Sequence, residues 1–84
     1  MANKVVFNLK DLLEVIAKAL VDKPEDVEVI ETESEEFLRL ELKVHPDEVG
    51  KVIGKQGRIA KAIRILVKAN AVKINKKVYV DIMQ

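Results

Sequence analysis

Apolar residues recur at Leu9, Leu12, Leu13, Ile16, Ala17 and Leu20, the i, i+3, i+4, i+7 spacing that lines one face of an α-helix. Asn8 stands before them as an N-cap, Asp11 at the third helical position, and Phe7 where it could staple onto Leu12 one turn on. Pro24, after Asp22-Lys23, ends the run. Residues 1 to 6 carry no clear signal and are read as a flexible or extended lead-in. The period then changes from 3.6 to 2. Leu38, Leu40, Leu42 and Val44 alternate with Phe37, Arg39, Glu41 and Lys43, which predicts a half-buried strand. Asp26 to Thr32, with Val27, Val29 and Ile30 among acids, predicts an edge strand, and the polar Glu33-Ser34-Glu35 between the two predicts an antiparallel hairpin.

Pro46 suits the first turn of a helix, with Asp47 and Glu48 near its positive end. That helix must be short, because Gly54 interrupts it within about two turns. A second helix follows from Gly57 to about Asn70, its buried stripe expected at Ile59, Ala62, Ile63, Leu66 and Val67. Arg58, Lys61, Arg64 and Lys68 share roughly a third of its circumference at 3.6 residues per turn and form a basic ridge. Val78, Val80 and Ile82 alternate with Lys77, Tyr79 and Asp81 as a last strand, which Val72-Lys73-Ile74 leads into or begins. The order α-β-β-α-α-β makes an α+β fold, a three-stranded sheet with helices packed on one face. At 84 residues the whole chain reads as one domain.

Charge adds a division that hydropathy does not show. Residues 1–50 hold 6 Lys or Arg against 13 Asp or Glu, a net −7, and residues 51–84 hold 9 against 1, a net +8. The basic half is the electrostatic footprint of a polyanion partner, unless the two halves simply neutralise each other on packing. Cysteine is absent, so there is no disulfide framework, thiolate metal site or Cys nucleophile, and a cytoplasmic location is expected. No apolar run approaches the ~20 residues of a membrane span. His45, the single histidine, stands before a proline at a strand end and has no partner with which to hold a metal or do chemistry. The acids crowd the hairpin turn as solvated surface. No enzyme activity and no cofactor are expected.

The basic half opens on Val52-Ile53-Gly54-Lys55-Gln56-Gly57-Arg58-Ile59. Two glycines three apart let the main chain take φ > 0 and approach a bulky partner, and the second stands where a helix would begin with unpaired N–H groups. Joining two predicted helices between a core strand and a closing strand, the octet resembles the loop of a KH domain, and the element order resembles the type II version. The longer segment from His45 to Arg64 is similar to the small bacterial single-KH RNA-binding proteins of the KhpA type. That resemblance covers nearly the whole chain. It implies a single-stranded RNA-binding protein, a chaperone or post-transcriptional regulator, whose loop clamps the backbone of about four nucleotides. It also implies a homodimer, or a heterodimer with a larger KH-containing protein, and makes single-stranded DNA a second conceivable ligand. The rival reading is a protein-interaction subunit whose nucleic-acid binding is weak.

Under this resemblance Gly54, Lys55, Gln56 and Gly57 face phosphate, Lys55 pairing with it and Gln56 hydrogen-bonding phosphate or sugar. Arg58, Lys61, Arg64 and Lys51 extend the basic surface, and Val52 lines an apolar groove for the bases, Ile53 being the better core candidate. Ile65 falls among the basic side chains on the helical wheel and is expected to be exposed, toward a base or another subunit. Phe37 and Tyr79 are far apart in sequence, so a stacking pair of aromatics is not expected. The resemblance further places the acidic hairpin turn beside the nucleic-acid groove, where it would repel phosphate.

Overall fold

The computed structural model describes residues 8–71 and 74–83; the expected Phe7 staple, the lead-in over residues 1–6 and the role of Val72-Lys73 lie outside them. Helix α1 spans Leu9–Leu20, and its Asn8 cap accepts a hydrogen bond from the Asp11 N–H at 2.8 Å. Pro24–Asp26 forms a 3-10 turn, so the first strand starts later than its apolar pattern suggests: β1 is Glu28–Glu33 and β2 is Phe37–Lys43. The Ser34 hydroxyl closes the hairpin by accepting from the N–H groups of Glu36 and Phe37. His45 Nδ1 accepts from the Asp47 N–H at 3.1 Å and caps a second 3-10 turn, Pro46–Glu48, which runs into α2, Val49–Ile53. The lone histidine is a backbone cap. Helix α3 is Arg58–Ala69 and strand β3 is Lys77–Ile82.

The sheet has strand order β1-β2-β3, with β1 antiparallel and β3 parallel to β2. The parallel pairing follows from the path between β2 and β3, which must cross over through α2 and α3 to return in the same direction. Val29 of β1, Leu38, Leu40 and Leu42 of β2, and Val78 and Val80 of β3 all face the helices and are buried. Against them pack Leu9, Leu13 and Ala17 of α1, Val52 of α2, and Ile63 and Val67 of α3. The expected α+β architecture, helices on one face of a three-stranded sheet, is the one observed.

Helix α3 is turned relative to the expected stripe. Its buried residues are Ala60, Ile63 and Val67, while Ala62 and Leu66 are exposed. Apolar residues at 59, 60, 62, 63, 65, 66, 67 and 69 cover so much of this helix that several inward directions satisfy its periodicity. Packing selects the one that buries small Ala60 and brings branched Ile63 and Val67 into the core with the sheet.

Candidate nucleic-acid interface

The octet joins α2 to α3 through a single 3-10 turn, Lys55–Gly57. Gly54 ends α2 with its N–H donating to the Gly50 carbonyl at 2.8 Å, and the Gly57 N–H donates back to the Gly54 carbonyl at 3.2 Å. Backbone φ is positive at Gly54 (77°), Gln56 (57°) and Gly57 (74°). Neither Gly54 nor Gly57, the residues that open the turn and α3, provides a side-chain cap. The Arg58 N–H donates to the Lys55 carbonyl within the turn, no side chain caps the rest of the first turn of α3, and the helix dipole favours an anion there.

The two glycines are not equivalent. A Cβ on Gly54 would stand 2.6 Å from Cγ1 of Ile59, whose half-buried side chain closes the first turn of α3 over the loop. A Cβ on Gly57 would meet nothing within 4 Å. Gly54 thus makes room for this protein's own side chain, whereas Gly57 keeps the outer side of the loop open.

Lys55 and Gln56 are exposed at the tip, and Arg58 and Lys61 on the next two turns of α3. Among the described residues, the carboxylates in ion pairs with lysine or arginine are taken by Lys18, Arg39, Lys51 and Lys76. Lys55, Arg58, Lys61 and Lys68 take no part in those pairs, so the ridge keeps its charge. Neutralisation between the acidic and basic halves spares the loop.

Three expected site residues have partners or burial within the fold. Val52 is fully buried; α2 points it into the core and leaves Ile53 half-exposed, so the assignment of groove and core between these neighbours is reversed. Lys51 is committed within the fold, its Nζ 2.5 Å from an Asp22 carboxylate oxygen and 3.3 Å from one of Glu48. Arg64 Nε donates to the Val80 carbonyl at 3.0 Å, fastening α3 to the free edge of β3. It remains exposed beside the ridge, but its position is set by that strand.

Glu48 is the residue that sequence reasoning missed. Only 4% exposed, its two carboxylate oxygens accept from the N–H groups of Asp22 and Lys23 beyond the end of α1. Burial pushes its carboxyl upward, but those two donors and the Lys51 ammonium outweigh it and hold the group below the usual glutamate range. The Lys51 hydrogen bond and charge lower Asp22 too, and the same contacts raise Lys51, led by its hydrogen bond to Asp22. The partners lie 25 and 26 residues apart, beyond any local pattern. This clamp ties the start of α2, and through it the loop, to the end of α1.

The clamp predicts a pH dependence. Lowered carboxyl pKa values give stability that is present above about pH 4.3, where unfolded Asp and Glu are ionised, and lost as pH falls through the folded values. The raised Lys51 value gives stability that is present below about pH 10.4 and lost as pH rises through the folded value. Thermal unfolding followed by circular dichroism should show a plateau between these limbs, and Glu48→Gln should flatten the acid limb. An acid limb of unchanged slope in that variant would remove Glu48 from the clamp.

The acidic hairpin turn does not border the glycine loop. Lys68, at the end of α3, lines the same cavity as Lys77 and Glu36, so the C-terminal end of α3 is the end nearest the hairpin turn and the loop at its N-terminus points the other way. The turn lies beside Lys77, whose N–H donates to the Glu36 carbonyl, and Lys76 pairs with Glu33. Phe37 and Tyr79 depart from expectation as well: parallel pairing of β2 with β3 brings their ring centroids to 6.2 Å.

Residues 10–82 match the model of the family described as KhpA/KhpB, KH domain. The chain belongs to that family. It is 67% identical over 75 residues to the RNA-binding protein KhpA of Clostridium perfringens, spanning 89% of this chain and all of that one. With the RNA-binding protein KhpA of Bacillus subtilis it shares 49% over 75 residues, 89% of this chain and 93% of that one. Era of Aquifex aeolicus, bound to GDP.AlF4-, superposes with a TM-score of 0.65 at 18% identity over 98% of this chain. The chain spans about a third of Era, 32% of its length, and at that identity the likeness concerns the fold alone. The three-stranded mixed sheet with helices on one face is the architecture of a KH domain, as the resemblance implied. Among the described residues no group of three or more His, Cys, Asp or Glu could hold a metal ion, and no helix is long and apolar enough to cross a membrane.

Proposed function

We infer that this protein binds single-stranded RNA through the Gly54-Lys55-Gln56-Gly57 loop and the first turns of α3. The observation that carries this reading is the loop itself: a helix start without a side-chain cap, an open outer side at Gly57, and Lys55, Arg58 and Lys61 in no ion pair among the described residues. Relatives named RNA-binding protein KhpA support RNA as the ligand. Lys55 and Gln56 engage phosphate and sugar, Arg58 and Lys61 add phosphate contacts, and half-exposed Ile53, not buried Val52, stands beside the bases. Such backbone-based binding suits an RNA chaperone or post-transcriptional regulator of the cytoplasm. It does not by itself exclude single-stranded DNA, because the phosphate is shared. No catalytic step is assigned to any residue.

A specific observation favours association as well. Ile65 is 60% exposed and Leu66 49%, and with exposed Ala62 and Ala69 they form an apolar strip along α3 beside the basic ridge. A homodimer, or a heterodimer with a larger KH-containing protein, would cover it.

Both parts are tested on the same samples. The affinity for a single-stranded tetranucleotide should fall with added salt, log K losing about 0.7 per unit of log[salt] for each phosphate neutralised. Arg58→Ala and Lys61→Ala should each make that slope shallower by about one phosphate. A salt-independent affinity, or no binding at all, would sink the RNA reading. Sedimentation equilibrium reads the second part: a monomer at every concentration would rule out the homodimer.

A further inference from the structure

We propose that Tyr79, with Phe37 and Arg39, forms a second nucleic-acid contact on the outer face of the sheet, a stacking platform for a base of the same strand beyond the part held by the loop. The proposal rests on the loop reading and extends it to the opposite side of the domain. Phe37, Arg39 and Tyr79 alternate with buried Leu38, Leu40, Val78 and Val80, so they face away from the helices. The register sets Lys77 beside Phe37 and Tyr79 beside Arg39. The two rings meet edge to face at 66°, with the Arg39 guanidinium carbon 6.0 Å from each centroid. Tyr79 is 43% exposed.

A nucleobase stacks on a partly exposed aromatic residue with a cation beside it, and Tyr79 with Arg39 provides both. A protein partner would want contiguous apolar surface. The other exposed large apolar residue on the strands of this face, Ile30, is paired with Glu41 further along the sheet. The Arg39–Asp81 ion pair, 3.7 Å, leaves the guanidinium partly exposed and offsets the one acid of β3. A cavity of about 620 Å³ is lined by Lys68 from the end of α3, Asn75, Lys76, Lys77, Tyr79 and the single acid Glu36. It sets Tyr79 and the last lysine of the basic ridge on one surface with more positive than negative charge, as a phosphate backbone requires.

The protein holds one tyrosine and no tryptophan, so its intrinsic emission reports on Tyr79 alone. Absorbance-corrected tyrosine fluorescence and fluorescence anisotropy are measured with a labelled tetranucleotide and a labelled dodecanucleotide of RNA. The dodecamer should quench the tyrosine and the tetramer should not. Tyr79→Ala should raise Kd for the dodecamer about tenfold, the factor for loss of one base stack, and leave the tetramer unchanged. Tyr79→Phe should bind like wild type. Dodecamer binding without quenching, and unaltered in Tyr79→Ala, would overturn the platform while leaving the loop reading intact. Failure of both oligonucleotides to bind wild type would overturn both. A Tyr79→Ala variant altered in self-association and unaltered in dodecamer affinity would also overturn the platform and give this face to a protein. The wild-type quenching experiment stands even where a variant folds poorly.

Discussion

Replacing Lys55 and Gln56 together by aspartate should raise Kd for single-stranded RNA by about 100-fold or more while leaving thermal stability within a few degrees of wild type. The change removes one positive charge and adds two negative ones at the tip of the loop. Losing one charge-assisted hydrogen bond costs about 1.5 to 3 kcal/mol, and repulsion of the same phosphates adds to it. Stability is spared because both side chains are exposed and neither is engaged in a hydrogen bond or ion pair among the described residues. The backbone is spared too: Gln56 has φ 57°, a left-handed conformation in which aspartate is enriched over most residues. Fluorescence anisotropy with a tetranucleotide, alongside a melting curve, checks both halves of the expectation. Full affinity in a folded double variant would falsify the loop assignment.

Gly54→Ala should be the more damaging change to the fold, and far more damaging than the same change at Gly57. Gly54 has φ 77° and ψ 174°, a region essentially reserved for glycine, where another residue costs about 1 to 3 kcal/mol. The added methyl would also lie 2.6 Å from Cγ1 and 2.9 Å from Cβ of Ile59, an overpacking worth about 1 to 3 kcal/mol more. Together these approach much of the stability of a domain this size and should lower Tm by at least about 10 °C. At Gly57, with φ 74°, ψ 15° and open space around the missing Cβ, alanine meets only the left-handed penalty of about 1 to 2 kcal/mol. Adding Ile59→Ala to Gly54→Ala should recover only the share of the packing loss due to Cγ1 and Cδ1 of Ile59, because the Cβ at 2.9 Å remains, and none of the backbone part. Equal Tm losses for the two single variants would contradict this division of labour.

The pattern of the chain made some elements legible and left others open. Leu38, Leu40, Leu42 and Val44 announced β2 because a strand with one solvated face has no other way to place them. Asn8 announced the start of α1 because its cap is made three residues away. The contacts of Glu48, Lys51 and Arg64 are not legible in the sequence for a shared reason: each has a partner 16 to 29 residues away. Nothing local distinguishes a lysine bound to Asp22 from one free for phosphate. Val52 and Ile53 were exchanged because a helix of five residues is too short for periodicity to say which of two adjacent apolar residues faces inward.

What the sequence determined by itself is therefore the set of local features: the order α-β-β-α-α-β, the glycine loop between two helices, and the charge boundary at which that loop begins. These depend on spacing, capping and backbone freedom, all of which act within about one turn or one strand. The tertiary structure alone decided which cations stay free, which face of the broadly apolar α3 is buried, and that Phe37 and Tyr79 meet around Arg39. Those outcomes depend on burial and on pairing between distant segments, above all on the crossover that lays β3 parallel to β2, and close contact between remote residues exists only once the core has closed.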